Sequence, residues 1–145
     1  MVHQLKFAAQ RKFARLMGEL MAGAAAAVTR PDLLVPVPVH RDRYIERGFN
    51  QASSLASVIG KRLNIPVDNT LARRVFAQPP QARLNARQRR TNVRGAFEAN
   101  EVGTRRHIAI IDDVLTTGAT CESLATTLKK SGCQRLSVWA FARTP

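Results

Sequence analysis

The spacing of apolar residues changes from helical to extended and back along the first sixty-odd positions. Residues Leu5–Val28 carry an apolar side chain at every third or fourth position, which predicts an amphipathic helix packed against a sheet. The apolar face of this helix consists of Leu5, Ala9, Phe13, Leu16, Leu20 and Ala24. A strand is predicted over Leu33–Val39, ending near Pro38, because proline cannot donate a hydrogen bond to a β ladder. The polar segment His40–Gly48 precedes a second predicted helix, Asn50–Leu63.

The second half of the chain repeats this alternation of strands and helices. A strand is predicted near Leu71–Phe76, and the polar segment Ala77–Arg94 is interpreted as a long loop with a short helical piece. The apolar run Ile108–Ile111 then predicts a buried strand, Thr120–Ser131 a helix, and Leu136–Phe141 a closing strand. Continuously apolar strands that alternate with helices predict an α/β fold, in which a parallel sheet is flanked by helices.

The length and the composition limit the class of protein. A chain of 145 residues with 45% apolar composition can build one hydrophobic core but not two, so residues 1–145 are expected to form a single domain. No apolar run approaches the roughly 18 residues of a membrane span, and the basic N-terminus lacks the apolar stretch of a secretory signal. We therefore expect a cytoplasmic protein; a mitochondrial transit peptide is the alternative, because no acidic residue precedes Glu19. Cys121 and Cys133 have no histidine at ligand spacing, so we expect reduced cysteines and no metal site.

The charge of the chain is strongly unbalanced. The formal net charge is +13, from 23 Lys and Arg against 10 Asp and Glu. Such a surface attracts polyanions, which include nucleic acid, phosphorylated small molecules and acidic proteins, and composition does not choose among them. The alternative is that the arginines only solvate helix faces.

The segment from Asp112 to Thr120 carries the residues from which a function can be argued. In open α/β sheets, ligands bind where a strand ends and the N-terminus of the next helix presents free N–H groups. The turn before the predicted helix is rich in small and hydroxyl residues, whose backbone N–H groups and hydroxyls can surround one phosphate. The phosphate-binding candidates are Thr116, Thr117, Gly118, Ala119 and Thr120. Asp112 and Asp113, just upstream, can accept hydrogen bonds from neighbouring hydroxyls such as those of a ribose diol.

These residues also have structural alternatives. Asp112 and Asp113 could cap a helix or bind a metal as in an NTPase, but the chain lacks the glycine-rich loop with lysine that an NTPase requires. Thr120 could be a plain helix N-cap, a role that is compatible with phosphate binding. A diol acceptor followed four residues later by a phosphate cradle indicates a site for a ribose 5-phosphate.

Several segments resemble those of a known family. The sequence I-A-I-I-D-D-V-L-T-T-G-A-T at 108–120 is similar to the binding motif of type I phosphoribosyltransferases. More narrowly, V-P-V-P at 35–38 and R-G-F-N-Q-A at 47–52 resemble the ComF family, which includes the GntX-like proteins. The same resemblance extends to the spaced residues Gln81, Leu84, Arg87, Asn92, Val93 and Phe97. It runs from about Val2 to the C-terminus.

The resemblance implies a type I phosphoribosyltransferase-like sheet and assigns roles by position. It makes Asp112 and Asp113 the ribose-binding acids and 116–120 the 5-phosphate loop. The residues that it places near the diphosphate are Arg41, Arg47, Gly48, Asn50 and Gln51. The flexible loop that closes over substrate in this family corresponds to Ala77–Arg94, with Gln81, Arg87 and Arg90, although these arginines could also be a solvated charge run. No catalytic residue is assigned.

One departure from the family concerns its N-terminus. Family members commonly begin with a four-cysteine zinc ribbon, which this chain lacks. The chain is therefore interpreted either as a shortened form or as a short relative. Any function that depends on the ribbon is in doubt for this molecule.

Two main functional hypotheses follow. In the first, the protein binds phosphoribosyl diphosphate or a related ribose phosphate, contacts single-stranded DNA, and acts in DNA uptake or utilisation with competence or recombination proteins. In the second, it is an active phosphoribosyltransferase of unknown acceptor. In both, Mg²⁺ arrives with the diphosphate and has no fixed protein site. The positive charge favours the first hypothesis, and a structural adaptor is a third.

Overall fold

The computed structural model describes residues 2–76, 85, 87 and 95–145. The helices in this part of the chain are α1 (Val2–Ala25), α2 (Arg41–Arg47), α3 (Gln51–Leu63) and α4 (Ala119–Lys130). The strands are β1 (Leu33–Pro36), β2 (Ala72–Arg74), β3 (Phe97–Ala99), β4 (His107–Leu115) and β5 (Arg135–Arg143). None of the described helices has the length and hydropathy that crossing a membrane requires.

A parallel sheet with the strand order β1-β4-β5 forms the centre of the fold. In the central strand, β4, the residues from Ile108 to Ile111 are fully buried, because helices cover both faces of the sheet. The parallel α/β architecture that the sequence predicts is therefore confirmed. The strands β2 and β3 form a separate antiparallel ribbon.

The alternation of side chains along β4 divides the core into two layers. Ile108 and Ile110 point to the layer that contains α4 and the β2–β3 ribbon, where Leu124 is fully buried. Ala109 and Ile111 point to the opposite layer, which contains α1 and α3. The carboxyl end of β4 therefore lies between the two layers.

The apolar face predicted for α1 was wrong. Leu5, Phe13, Leu16 and Leu20 on that face are 57–65% exposed. The buried residues of α1 are instead mostly small, and they are Ala14, Gly18, Met21 and Ala22. Small side chains let α1 approach α3 closely, so this helix packs mainly on another helix rather than on the sheet. Apolar periodicity alone selected the face with the larger side chains.

Two elements were not predicted from the sequence. The helix α2 forms within the segment 40–48 and has no buried residue, so no apolar periodicity marks it. Its ends are fixed by polar contacts: the Nδ1 atom of His40 accepts from the Asp42 N–H at 3.2 Å, and Gly48 closes the helix with φ +76°. The strand β3 has only three residues and pairs with β2, a long-range contact that the local pattern does not reveal.

The close approach of α1 to α3 leads to a matched pair of glycine substitutions. A Cβ atom at Gly18 would lie 2.6 Å from Cβ of Val58 in α3, whereas at Gly23, on the same helix, it would meet no atom within 4 Å. We expect Gly18→Ala to lower the free energy of unfolding by about 1–3 kcal/mol through overpacking. Gly23→Ala should raise it by up to about 1 kcal/mol through helix propensity. Urea unfolding measures both, and equal stabilisation by the two substitutions would contradict the close α1–α3 contact.

Candidate functional site

Two adjacent carboxylates lie at the carboxyl end of β4, within the last residues of the strand. One oxygen of Asp112 accepts from the Asp113 N–H at 2.9 Å, and its other oxygen accepts from the Cys121 thiol at 3.7 Å. Asp113 accepts from the Val114 N–H at 2.8 Å. The sequence placed both acids just after the strand, and the structure extends β4 past them to Leu115.

Burial gives the first of these acids an unusual ionisation. The pKa of Asp112 is raised to about 7. The largest cause is removal of the carboxyl group from water, and the second is the neighbouring Asp113 carboxylate. Burial and the nearby Asp112 raise the pKa of the Cys121 thiol to about 12, so the thiol stays neutral and donates its hydrogen. Without further hydrogen-bond donors, the charged form of Asp112 is therefore disfavoured, and the acid loses its proton only near neutral pH.

The turn between β4 and α4 is shaped by a glycine. Gly118 is the N-cap of α4 and has φ +77°, a conformation that favours glycine. A Cβ at this position would meet no atom within 4 Å, so the space beside the turn is open. Thr117 accepts from the Ala119 N–H at 3.3 Å and thereby supports the turn. Because Gly118 occupies the N-cap position, the alternative that Thr120 is the helix cap is excluded.

A cavity of about 210 Å³, called here the inner cavity, connects this turn with the segment after β1. Its lining includes most of the site residues that were predicted from the sequence, namely Asp112, Asp113, Thr116, Gly118, Ala119, Thr120, Arg47, Asn50 and Gln51. The Asn50 side chain holds the segment in place, because it donates to the Val37 carbonyl at 3.1 Å and accepts from the Ala52 N–H at 3.0 Å. The acids and the phosphate-loop candidates are thus brought together with three of the five residues predicted near the diphosphate.

The remaining predicted residues lie elsewhere. Thr117 is not part of the cavity lining, and Arg41 and Gly48 line a neighbouring cavity. Of the predicted flexible loop, Arg87 is exposed, whereas Gln81 and Arg90 lie outside the described residues. The proposed loop Ala77–Arg94 as a whole falls almost entirely outside them.

Sequence reasoning missed two arginines of the inner cavity, Arg43 and Arg74. The Nε and Nη2 atoms of Arg74 are buried and have no hydrogen-bond partner among the described residues. Its guanidinium lies 5.5 Å from the ring centroid of Phe97. Burial, followed by repulsion from Arg43, lowers the pKa of Arg74. The sequence signal for Arg74 was weak, because it lies within the predicted strand Leu71–Phe76, three residues before the basic segment 77–94.

Charged groups of both signs line the inner cavity. Asp112 and Asp113 contribute carboxylates, whereas Arg43, Arg47 and Arg74 contribute guanidinium groups, and two buried nitrogens of Arg74 have no acceptor among the described residues. Buried donors without partners are costly, so an anion supplied by a ligand would stabilise this arrangement. In the described part of the chain, no three His, Cys, Asp or Glu side chains cluster as metal ligands.

Curated proteins align with almost the whole of this chain, although no protein-family model matches it. It is 33% identical over 150 residues to the DNA utilization protein YhgH of Escherichia coli strain K12. It is also 33% identical over 153 residues to competence protein F of Haemophilus influenzae. Both alignments cover 99% of this chain and 66% of the relative, so the chain spans just under two thirds of the length of these relatives.

Solved structures share the fold. The glutamine phosphoribosylpyrophosphate amidotransferase from B. subtilis, complexed with ADP and GMP, matches 88% of this chain and 26% of its own, with a TM-score of 0.59 and 20% identity. The adenine phosphoribosyltransferase from Thermoanaerobacter pseudethanolicus matches 89% of this chain and 79% of its own, with a TM-score of 0.54 and 13% identity. At these identities the likeness shows the fold alone, and that fold is the one the sequence motif predicts.

The raised pKa of Asp112 predicts how stability depends on pH. Its pKa is 3.8 in a model peptide and about 7 in the folded protein, so the folded state binds more protons between these values. Stability contributed by the neutral acid is therefore lost as the pH rises from about 4 through 7. We expect Asp112→Asn, which keeps a neutral side chain, to be more stable than the unmodified protein at pH 8, with the difference shrinking towards pH 4.

Asp32 provides the control for this measurement. Hydrogen bonds from the backbone N–H groups of His107 and Arg106 lower the pKa of Asp32, which is the opposite shift. Asp32→Asn should therefore destabilise the protein at pH 8. Denaturant unfolding at several pH values measures both variants, and a pH-independent effect of Asp112→Asn would show that Asp112 is not held in an apolar environment.

Proposed function

The chain belongs to the ComF family, and from this membership and the inner cavity we propose that it binds 5-phosphoribosyl 1-diphosphate or a closely related ribose phosphate. The observation that carries the proposal is that acidic and basic side chains line one cavity, Asp112 and Asp113 together with Arg43 and Arg74. A ribose bearing a free diol and a diphosphate offers a partner to both kinds of side chain.

Each part of such a ligand has a counterpart in the cavity. The diol donates to the Asp112 and Asp113 carboxylates, which accept hydrogen bonds. The 5-phosphate takes the backbone N–H groups and hydroxyls of the turn 116–120, where the open space beside Gly118 leaves room for its oxygens. The diphosphate lies towards the arginines and supplies acceptors to the buried Arg74 nitrogens, which have none among the described residues.

The carboxylates also fit a magnesium ion that arrives with the ligand. Mg²⁺ prefers oxygen ligands and keeps several of its waters, so one or two carboxylates and the diphosphate oxygens suffice. Asp112 and Asp113 are the residues that would contact it, directly or through water. The ion would neutralise part of the diphosphate charge.

The proposal extends to DNA. Relatives of this chain are named for DNA utilization and for competence. The net charge of +13 favours contact with single-stranded DNA, and the segment 77–94 contributes arginines without any acidic residue. We place the protein in DNA uptake or utilisation in the cytoplasm, with competence or recombination proteins as partners.

A phosphoribosyltransferase activity is the second candidate. It is favoured by the guanidinium groups of Arg43 and Arg74 at the diphosphate end, since cations stabilise a leaving diphosphate as its charge develops. No described residue identifies the acceptor. Release of diphosphate on adding a nucleobase or an amine would support this candidate, and its absence for a protein that binds the ligand tightly would support the binding role.

Substitution of both acids tests the proposed ligand. The double variant Asp112→Asn with Asp113→Asn should bind phosphoribosyl diphosphate and ribose 5-phosphate at least about 100-fold more weakly, because each charged hydrogen bond is worth roughly 1.5–3 kcal/mol. Titration calorimetry at pH 8, where Asp112 is largely ionised, measures both ligands.

The control is Glu122→Gln, which removes an exposed acid of the first turn of α4 outside the cavity. It should bind both ligands with unchanged affinity. Unchanged affinity in the double Asp variant would instead show that the two acids do not bind the diol, and would contradict the central part of the proposal.

A further inference from the structure

A second and larger cavity, called here the outer cavity, adjoins the inner one. Its volume is about 800 Å³, and it shares Pro38, Val39, Phe49, Asn50 and Arg74 with the inner cavity. None of the residues from Asp112 to Cys121 lines it, so it lies on the diphosphate side of the inner cavity, away from the ribose acids.

The described lining of the outer cavity is cationic. Arg41, Arg73 and Arg74 contribute guanidinium groups, and none of the described lining residues is acidic. Arg73 is paired with Glu98 at 2.6 Å, but Arg41 forms no ion pair with a described residue. A cavity of this charge favours a ligand that carries phosphate.

The aromatic ring of Tyr44 also lines the outer cavity. Tyr44 belongs to α2, where no side chain is buried, and it is 50% exposed. An exposed tyrosine next to guanidinium groups is the combination with which proteins bind single-stranded nucleic acid, because the base stacks on the ring while cations hold the phosphate. Ser53 and Asn69 also line the cavity, and the Ser53 hydroxyl donates to Oδ1 of Asn69 at 2.8 Å. This bond orients the Asn69 amide, whose NH₂ group is a donor for a base edge.

The position of the outer cavity is not that of an acceptor pocket. An acceptor must reach the ribose carbon that loses the diphosphate, and the residues assigned to the ribose do not line this cavity. The outer cavity, at about 800 Å³, is also larger than a diphosphate alone would need, because the inner cavity, in which we place the whole phosphoribosyl diphosphate, has a volume of about 210 Å³.

We propose that the outer cavity binds one nucleotide of a single-stranded nucleic acid, with the base stacked on Tyr44 and the phosphate held by Arg41. This inference rests on the DNA-binding part of the proposed function and gives it a location in the described fold. It does not depend on the identity of the ligand in the inner cavity, so the two can fail separately.

The test compares Tyr44→Ala with Tyr44→Phe, which retains a ring. Binding of a fluorescein-labelled oligodeoxythymidine 20-mer is followed by anisotropy, and stacking by the fluorescence of a single 2-aminopurine in the same strand. Tyr44→Ala should bind about 5- to 150-fold more weakly, the range for loss of one stacked base, and should lose part of the 2-aminopurine quenching. Tyr44→Phe should behave as the unmodified protein, and so should Phe141→Ala, which removes an exposed ring of β5 outside the cavity.

Salt dependence tests the phosphate contact. Arg41→Gln should flatten the logarithmic salt dependence of oligonucleotide binding by about 0.7, the value for one phosphate of a single strand. Arg143→Gln, an exposed arginine of β5 outside both cavities, is the charge-matched control and should change the slope less. Thymidine 5′-monophosphate is then added as a competitor. If it displaces the oligonucleotide at an equal concentration, the natural ligand of the outer cavity is a free nucleotide. If it does so only in large excess, the natural ligand is a nucleotide within a strand.

The outcomes separate this inference from the proposed function. If Tyr44→Ala matches the unmodified protein in affinity and quenching, the outer cavity is not the nucleotide site, whatever binds in the inner one. If the unmodified protein binds neither strand nor mononucleotide, the inference and the DNA part of the function both fail. Unchanged phosphoribosyl diphosphate affinity in folded Tyr44→Ala, checked by circular dichroism, is expected and shows that Tyr44 takes no part in binding at the inner cavity.

Discussion

The burial of Asp112 at the end of β4 is the constraint on which the rest of the site depends. Helices cover both faces of β4 up to Ile111, and Asp112, the next residue, is partly buried, so its carboxylate loses part of its contact with water. A carboxylate in such a place either takes up a proton or finds hydrogen-bond donors. The structure supplies one backbone N–H and one thiol, which leave Asp112 with a pKa of about 7. A ligand that brings hydroxyl groups or a cation completes this arrangement.

Arg74, which lines the same inner cavity, has the complementary deficiency. Two of its buried nitrogens have no acceptor among the described residues, and the like charge of Arg43 acts on it. Buried polar groups without partners destabilise the unliganded protein. Natural proteins accept such local costs at functional sites, where the ligand provides the missing partners. The arrangement therefore links the stability of the fold to occupancy of the site.

Local sequence patterns predicted the parts of the structure that depend on neighbouring residues. The apolar run Ile108–Ile111 correctly predicted the buried strand, and helical spacing correctly predicted α3 and the helix after the glycine turn. Patterns failed where long-range packing decides. The buried face of α1 is set by how closely Gly18 approaches Val58, and Arg74 enters the site only because β2 pairs with a distant strand.

Whether the inner cavity binds 5-phosphoribosyl 1-diphosphate can be measured by calorimetric titration of the unmodified protein in the presence and absence of Mg²⁺. We expect saturable binding of one ligand per chain, tighter with Mg²⁺, and weaker binding of ribose 5-phosphate at the same site. An absence of binding at millimolar ligand under both conditions would contradict this proposal, because the acids and the arginines would then line the inner cavity for a reason other than a ribose diphosphate.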